Sequence, residues 1–233
     1  MLRHSVALLG VAAFAAILCV STEAFGTLNT AQVKRIEEAA QVLKEIHAVP
    51  DRDIPQDLWE RAACVIVVPA VKKAAFMVGG EYGKGLMSCR HNNAWGAPVF
   101  MEVGKGSWGL QLGAQSIDLV LLVMNETGAQ KLLKNKVSLG AEASIAGGPV
   151  GRDARAATDA QMKAEILSYS RTQGLFAGIN LSGGVVRPDA DGNVDLYGAD
   201  AVPAKVVSDP RITAPASTLP FMKALDREPQ ARP

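Results

Sequence analysis

The sequence has few of the residues that build metal centres and hydrolytic active sites. It contains three cysteines and three histidines among 233 residues, and no CxxC, HExxH or Cys/His cluster occurs in it. The G-x-S-x-G motif of a nucleophile elbow is also missing. His47 and His91 are the obvious general bases outside the N-terminal segment. We therefore expect no metal centre, no cofactor and no enzyme activity.

Excess charge and long apolar runs are also missing. The 24 basic and 23 acidic residues leave a net charge of +1, which argues against nucleic acid as a partner. A membrane-spanning helix needs roughly 20 consecutive apolar residues. The N-terminal run Val6–Val20 falls short of that length, and no later segment reaches it.

The N-terminal segment has the pattern of a secretory signal peptide. Arg3-His4 precedes the apolar run, and Thr22-Glu23-Ala24 follows it at the position where a signal peptidase cleaves. We predict a signal peptide over residues 1–24, a mature chain that begins near Phe25, and export to the periplasm or cell envelope. A lipidated Cys19 is the alternative, although the residue before it is not small.

Four segments have the apolar spacing or the capping residues of helices. A Thr-x-x-Gln capping box precedes the third segment, and a proline stands in the first turn of the fourth. The predicted helices run over Ala31–His47 with Thr30 as its cap, from Pro55 to Ala63, after Thr127 and Gln130, and from Pro220 through the inward-facing Phe221 and Leu225.

Between these helices the chain alternates strands and turns. Cys64–Val68 is too short and too β-branched for anything but a buried strand, and from Ala74 onward the pattern is strand, turn, strand. We predict an α+β fold with a mainly antiparallel, glycine-rich, strongly coiled or barrel-like β-sheet. N-terminal helices and a short C-terminal helix flank this sheet. One domain covers residues 25–226, and a flexible tail follows at 227–233.

Glycines are frequent inside the predicted strands, with five of them in Trp95–Asn125. Each one costs roughly 0.5–1 kcal/mol relative to alanine, so a repeated use needs a reason. Strongly coiled sheets place glycine where another backbone crosses closely. We therefore interpret the glycines as architecture and expect a valine at Gly80 or Gly113 to clash.

Two further features have open or weaker interpretations. Cys64 and Cys89 lie in apolar segments, and both a disulfide and two buried free thiols are compatible with the sequence. Asp189–Asp195 has oxygen-bearing side chains at alternate positions, as in a calcium loop. However, Val194 occupies the sixth position, where an EF-hand needs glycine. We predict a polar hairpin turn there.

Several motifs follow one another along the chain in the order typical of one known family. They are VIVVPAVKKAAFMVGGEYGKG, HNNAWGAPVF, GSWGLQLGAQSIDLVLLV, SIAGGPVGR, YSRTQGLFAGINLSGG and DLYG. On these motifs the chain from Ala31 to Leu225 resembles the SYLF family of lipid-binding domains, which implies a single phospholipid-binding domain. In eukaryotic members the ligands are phosphoinositides and the partner is actin. An exported protein would meet neither, so a phospholipid of the bacterial envelope is the expected ligand, and actin is not.

Basic residues are the candidates for contact with a lipid phosphate, because phosphate oxygens bind Lys and Arg donors. Lys84 and Arg90 lie six residues apart on one predicted strand. Because this separation is an even number, they share a face if the strand is regular. The loop Gly147–Arg152 adds bare backbone that an anion could approach. The candidate lipid-binding residues are Lys72, Lys73, Lys84, Arg90, Lys105 and Arg152.

The sequence thus predicts a non-catalytic protein that binds anionic phospholipid at a membrane surface through basic residues beside an apolar groove. A structural or interaction protein of the envelope, whose glycine-rich sheet binds a protein partner, is the alternative. A hydrolase is the third possibility. The sequence predicts no nucleic-acid partner.

Overall fold

The computed structural model describes residues 27–48, 53–76, 78–108, 113–134, 136–151, 161, 163–172 and 175–226, with side chains for all of these except 73–76, 78–79, 107–108 and 113–115. The predicted signal peptide and the predicted tail lie outside the described residues. The helices with described bounds are α1 (Thr30–His47), α2 (Gln56–Arg61), α3 (Glu126–Lys134), α4 (Ala190–Tyr197), α5 (Pro203–Ser208) and α6 (Leu219–Leu225), with a 3-10 turn at Ala216–Thr218.

The strands form one large sheet in the order β6-β10-β4-β2-β1-β5-β8-β7. Of the described pairs, only β7 with β8 is parallel. The small strands β3 and β9 pair with β2 and β8. The strands are β1 (Cys64–Phe76), β2 (Val78–His91), β3 (Ala94–Trp95), β4 (Val99–Trp108), β5 (Gly113–Val123), β6 (Val137–Ser138), β7 (Ile145–Gly147), β8 (Ile166–Thr172), β9 (Leu175–Gly178) and β10 (Gly184–Pro188).

Helices cover both faces of this sheet. On the α1 face, α1, α2 and α6 bury Leu43, Trp59 and Phe221 against the strands. On the α3 face, α3 and α5 bury Leu132 and Val207. Because α3 contacts both β5 and β10, which lie four positions apart in the strand order, the sheet curls around this helix. The predicted α+β fold with a strongly coiled, mainly antiparallel sheet is confirmed.

The helix predictions are confirmed in position, with different residues at the caps. The side chain of Asn29, not of Thr30, caps α1. Its Oδ1 accepts from the Gln32 amide at 3.0 Å, and the Gln32 side chain accepts from the Asn29 amide at 2.7 Å. Asn125 caps α3 by accepting from the Gly128 amide at 2.8 Å, ahead of the predicted capping box. No described helix is both long and apolar enough to cross a membrane.

The hairpin turn predicted for Asp189–Asp195 is wrong, because this segment opens helix α4. Asp189 is the N-cap, and its Oδ1 accepts from the Gly192 amide at 3.3 Å. The buried Asn193 side chain accepts from the Phe100 amide at 2.8 Å and donates to the Phe100 carbonyl at 2.9 Å. Tertiary hydrogen bonds to β4 therefore hold a helix whose own residues have low helix propensity.

A β-bulge at Pro69-Ala70 determines which face each later residue of β1 occupies. The register of β1 against β5 slips between Val68 and Val71, and Ala70 has a φ of 50°. The Asp118 carboxylate accepts from the Ala70 amide at 2.9 Å, which satisfies a backbone group that the bulge leaves unpaired. Val68 and Val71 consequently both join the core of the α3 face, and Lys72 falls on the α1 face.

The same bulge explains one of the strand glycines. A Cβ atom at Gly85 would lie 2.0 Å from the Val67 carbonyl oxygen and 2.7 Å from the Val68 Cα. At Gly80 the nearest heavy atom of the described residues would be the Lys105 carbonyl oxygen at 3.8 Å, so no close contact at the Cβ position explains this glycine. The surroundings of a side chain at Gly113 lie outside the described part of the structure. Close backbone crossing therefore accounts for Gly85 but not for Gly80.

The two cysteines of the domain form a disulfide. Cys64 and Cys89 are directly opposed in the register of β1 and β2, and both are buried. We expect peptide mapping without reduction to recover the Cys64 and Cys89 peptides as one linked species that separates after reduction. Alkylation of both thiols in the unreduced, unfolded protein would contradict the bridge.

Candidate functional site

A groove of about 320 Å³ lies on the α1 face, beyond the helices that cover the centre of the sheet. Direct register joins Val185 of β10 to Gly104 of β4, and Gly104 to Tyr82 of β2. Tyr82 is 49% exposed. This sheet groove is lined by Tyr82, Glu102, Val103, Gly104, Gly106, Lys136, Gly183, Val185 and Arg187.

The floor of the sheet groove is bare backbone because β4 carries two glycines there. Among the described residues, a Cβ atom at Gly106 would have no heavy atom within 4 Å, and at Gly104 the nearest would be 3.8 Å away. Neither glycine is therefore required by close packing, unlike Gly85. Their absent side chains leave the space that the groove occupies.

An ion-pair network closes one end of the sheet groove. Lys84 Nζ lies 2.8 Å from Asp189 Oδ2 and 2.9 Å from Glu102 Oε1. Arg187 donates to Glu102 Oε2 at 2.7 Å, and the Tyr82 hydroxyl donates to Glu102 Oε1 at 3.0 Å. Arg35 of α1 also lies 3.8 Å from Asp189 Oδ2. Three cations and two carboxylates therefore meet in this network, which leaves a net charge of +1.

Burial and pairing act in opposite directions on the pKa values in this network. Burial alone would lower the pKa of Lys84, but its hydrogen bonds to Asp189 and Glu102 raise that pKa above the ordinary value. Burial would likewise raise the pKa of Glu102, but hydrogen bonds from Lys84, Arg187 and Tyr82 lower it. Lys84 and Glu102 are thus charged at neutral pH and committed to each other.

Two lysines beside the sheet groove take no part in this ion-pair network. Lys136 lines the groove and is exposed. Lys72 is exposed and directly opposes Tyr82 in the register of β1 and β2, so both side chains extend from the same face. Within the described part of the chain, neither lysine has a carboxylate at ion-pair distance. They give this end of the sheet a positive charge that the network does not neutralise.

The six predicted lipid-binding residues do not form one cluster. Lys72 and Lys84 lie near the sheet groove, whereas Arg90 is six residues from Lys84 along β2, or about 20 Å at the rise of a strand. Lys73 and Lys105 are each register partners of Glu81. These positions are adjacent to the Lys72–Tyr82 pair and so belong to the opposite face of the sheet. Arg152 lies outside the described residues.

Arg90 has a packing role at the far end of β2. Its guanidinium carbon lies 3.9 Å from the centre of the Trp95 ring, and it donates to the Asn93 carbonyl at 3.1 Å and the Trp59 carbonyl at 3.5 Å. Burial lowers its pKa. These contacts use Arg90 within the fold.

The backbone predicted to approach an anion at Gly147–Arg152 is packed against other strands where it is described. The Gly148 amide donates to the Ser168 carbonyl at 3.0 Å. A Cβ atom at Gly148 would lie 2.0 Å from the Tyr169 ring. These glycines therefore admit a ring and a neighbouring backbone, and the anion site expected at this loop is not formed by Gly147 and Gly148.

The sequence reasoning missed Tyr82, Lys136 and Arg187. They come from β2, from the residue before β6 and from β10, and only the register of these strands brings them together. Their spacing along the chain contains no signal of this proximity. Among the described residues, no three His, Cys, Asp or Glu side chains converge as metal ligands.

A second groove, of about 650 Å³, lies beside α5. Lys205 and Arg211 line it, but so do Asp200 and Asp209. Arg211 binds Asp209 at 2.7 Å, and this pairing holds the pKa of Asp209 below its usual value. Its charges are balanced, which makes it a weaker anion site than the sheet groove.

Comparison with known proteins gives the family. The model of the Ysc84 family, described as a Las17-binding protein and actin regulator, matches residues 104–228. The chain belongs to the Ysc84 (SYLF) family. The resemblance drawn from the motifs is therefore confirmed, and the Ysc84 match includes the groove residues Gly104, Lys136, Val185 and Arg187.

Relatives of this Ysc84-family chain occur in fungi and animals. An SH3 domain-containing protein of Schizosaccharomyces pombe is 34% identical over 165 residues, which are 69% of this chain and 38% of that protein. LAS seventeen-binding protein 3 of Saccharomyces cerevisiae is 28% identical over 76% of this chain and 39% of its own length. SH3 domain-containing YSC84-like protein 1 of Xenopus laevis is 28% identical over 81% of this chain and 58% of its own length. The chain thus spans about two fifths of the fungal relatives' length.

Proposed function

We propose that this protein binds anionic phospholipid at a membrane surface, without catalysis, and that the sheet groove holds the phosphate of the headgroup. The observation that carries the proposal is the pair Lys72 and Lys136. These exposed lysines flank a bare backbone floor and lack carboxylate partners among the described residues. Export, predicted from residues 1–24, would make a phospholipid of the bacterial envelope the ligand.

The chemistry of the sheet groove suits a phosphate better than a neutral headgroup. Ammonium groups donate charge-assisted hydrogen bonds to phosphate oxygens. The Arg187 side chain, which binds Glu102, is 56% exposed at the rim of the groove. The volume of about 320 Å³ is at the lower end of ligand sites, which span roughly 300–1,000 Å³. That volume is enough for a headgroup, and it leaves the acyl chains in the bilayer.

A protein partner is the second candidate. The family description and the yeast relative's name refer to Las17 binding, and two of the relatives described above are named as SH3 domain-containing proteins. Since those proteins extend well beyond the matched region, the named interaction comes to this chain only as a hypothesis. Failure of all lipid binding by the folded protein would favour it.

Charge neutralisation at the sheet groove tests the lipid proposal. Each basic residue near an anionic surface contributes about 1 kcal/mol. The Lys72→Gln/Lys136→Gln double variant should therefore bind phosphatidylglycerol vesicles about 30-fold more weakly at low ionic strength. Salt should reduce the difference, because the Debye length falls from about 10 Å at 0.1 M to about 3 Å at 1 M. Vesicle co-sedimentation at several salt concentrations measures both effects.

The matched control is Lys44→Gln/Lys223→Gln, which removes the same charge from exposed positions on α1 and α6. It should bind like the wild type. Equal binding of phosphatidylcholine and phosphatidylglycerol vesicles, or equal losses in the two double variants, would refute the groove as the headgroup site.

A further inference from the structure

We infer that the projecting end of the sheet inserts into the bilayer interface and that the sheet groove lies at the level of the headgroups. This inference rests on the proposed function and names the part of the molecule that enters the membrane. The inserting part, called the hairpin tip, comprises the ends of β1 and β2 at 74–76 and 78–80, and the ends of β4 and β5 at 106–108 and 113–117.

Helices cover only part of these long strands. Val67, Leu86, Phe100 and Val120 are buried on the α1 face. Farther along the same strands, Tyr82 is 49% exposed, and Gly80, Gly106 and Ser116 are also exposed. The sheet therefore continues beyond the apolar cores.

The strand register continues into the hairpin tip. Gly80 pairs with both Ala74 and Gly106, and Val78 pairs with both Phe76 and Trp108. From the Lys72–Tyr82 pair to the Phe76–Val78 pair is four residues, or about 13 Å at the rise of a strand. The order β4-β2-β1-β5 is kept for three residues, or about 10 Å, beyond the Lys72–Tyr82 pair, as far as the Ala75–Gly113 pair.

The composition of the chain changes at one level of these four strands. No Asp, Glu, Lys, Arg or His occurs in residues 74–80 or 106–117. Charges begin together at the next positions, where Lys105 pairs with Glu81, Glu81 pairs with Lys73, and Lys72 pairs with Tyr82. Asp118 is the first charge of β5 at this boundary, so Lys72, Lys73 and Lys105 stand there beside two carboxylates. An uncharged end bounded by charged residues in which lysine is in excess matches the boundary between acyl chains and anionic headgroups.

The residue types also fit an interfacial depth. Trp and Tyr are enriched at membrane interfaces, and Trp108 stands in the register row of Phe76 and Val78. In the described residues, β4 pairs with β10 only as far as Lys105, and β5 pairs with β8 only as far as Asp118. Open strand edges are not stable in the hydrocarbon core. We therefore place the hairpin tip about 5–10 Å into the headgroup and acyl boundary.

The inference is tested by placing a charge in the hairpin tip. Its effect on vesicle binding is compared with that of the same substitution at a control position. Val78→Glu should weaken binding to phosphatidylglycerol vesicles at least tenfold. The matched control Val202→Glu changes a valine that is 54% exposed near α5, and it should change binding less than twofold. Thermal melts confirm that each variant is folded.

Val78→Lys separates insertion from simple electrostatics. If the hairpin tip enters the interface, a lysine there should weaken binding despite its favourable charge, whereas surface attraction alone would make it strengthen binding. A second measurement follows the fluorescence of Trp108 itself. The fluorescence difference between the wild type and Trp108→Phe should shift to shorter wavelength on vesicle addition, and lipids brominated near the headgroup should quench it.

The outcomes distinguish the inference from the proposed function. The wild type could bind vesicles while Val78→Glu binds them with the same affinity and the Trp108 signal does not change on vesicle addition. That result would overturn the inference and leave the proposed function standing. A complex of two chains, lost in Val78→Glu and unaffected by vesicles, would also overturn it, because the hairpin tip would then be a self-association face. Absence of any wild-type binding to either vesicle type would remove the proposed function together with the inference.

Discussion

Gly85→Ala is expected to lower the free energy of unfolding by at least about 3 kcal/mol. The added methyl group would lie 2.0 Å from the Val67 carbonyl oxygen, and that oxygen belongs to the backbone of the adjoining strand. Overpacking by a methylene usually costs about 1–3 kcal/mol when side chains can move. Here β1 itself would have to separate from β2 beside its bulge, so the cost should exceed that range. Urea unfolding of the purified variant measures it.

Gly80→Ala is the control, since it adds the same methyl group to the same strand. The nearest heavy atom of the described residues would be 3.8 Å away, which is ordinary contact. No loss is therefore expected, and the alanine should stabilise the fold by up to about 0.5–1 kcal/mol. Equal losses at Gly80 and Gly85 would mean that glycine is needed for strand flexibility throughout β2. The explanation by close crossing would then be wrong.

Lys84→Met is expected to destabilise the fold by about 2–3 kcal/mol. The side chains of Glu102 and Asp189 are 11% and 3% exposed, and the substitution would remove a cation that both of them bind. Breaking a buried ion pair from one side costs about 3–5 kcal/mol. We expect about 2–3 kcal/mol, below that range, because the Lys84 side chain is 29% exposed and Arg187 still binds Glu102 in the variant.

The pH dependence of that loss identifies its cause. Hydrogen bonds from Lys84 and Arg187 lower the pKa of Glu102 from its model-compound value of 4.5, so the pair stabilises the fold above that pH and the contribution is lost as pH falls. The difference between wild type and Lys84→Met should therefore shrink as pH falls below about 4.5, through the lowered pKa of Glu102. Lys44→Met, at an exposed position of α1, should show no such trend. A pH-independent difference would mean that lost packing, not lost charge, destabilises the variant.

Local patterns in the sequence predicted the elements of the fold well. Apolar spacing alone predicted the helix over Ala31–His47, within one residue of its observed start at Thr30. The β-branched run at Cys64–Val68 forms the buried beginning of β1. Phe221 and Leu225 are buried as predicted from the proline-started C-terminal helix. These features depend on neighbours in the sequence, and that is the information a single sequence contains.

Features that depend on neighbours in space were not predictable. The bulge at Pro69-Ala70 needs the Asp118 carboxylate of another strand, and it reverses the face on which Lys72 lies. Helix α4 needs Asn193 to bind Phe100. The sheet groove needs the register of three strands that are distant along the chain. The even-numbered separation of Lys84 and Arg90 along β2 predicted both as lipid contacts. In the structure, Lys84 binds carboxylates and Arg90 packs on Trp95.

The disulfide has a mechanical consequence for a domain attached through the end of its sheet. Cys64 and Cys89 join β1 and β2 at the end opposite to the hairpin tip, which we propose as the point of attachment. A load that pulls the domain from a bilayer runs along these two strands. With their far ends joined covalently, neither strand can be drawn out alone, so the load must break the ladders with β4 and β5 at the same time. The force that the attachment withstands, more than its affinity at rest, is then the property that oxidation of the two thiols controls.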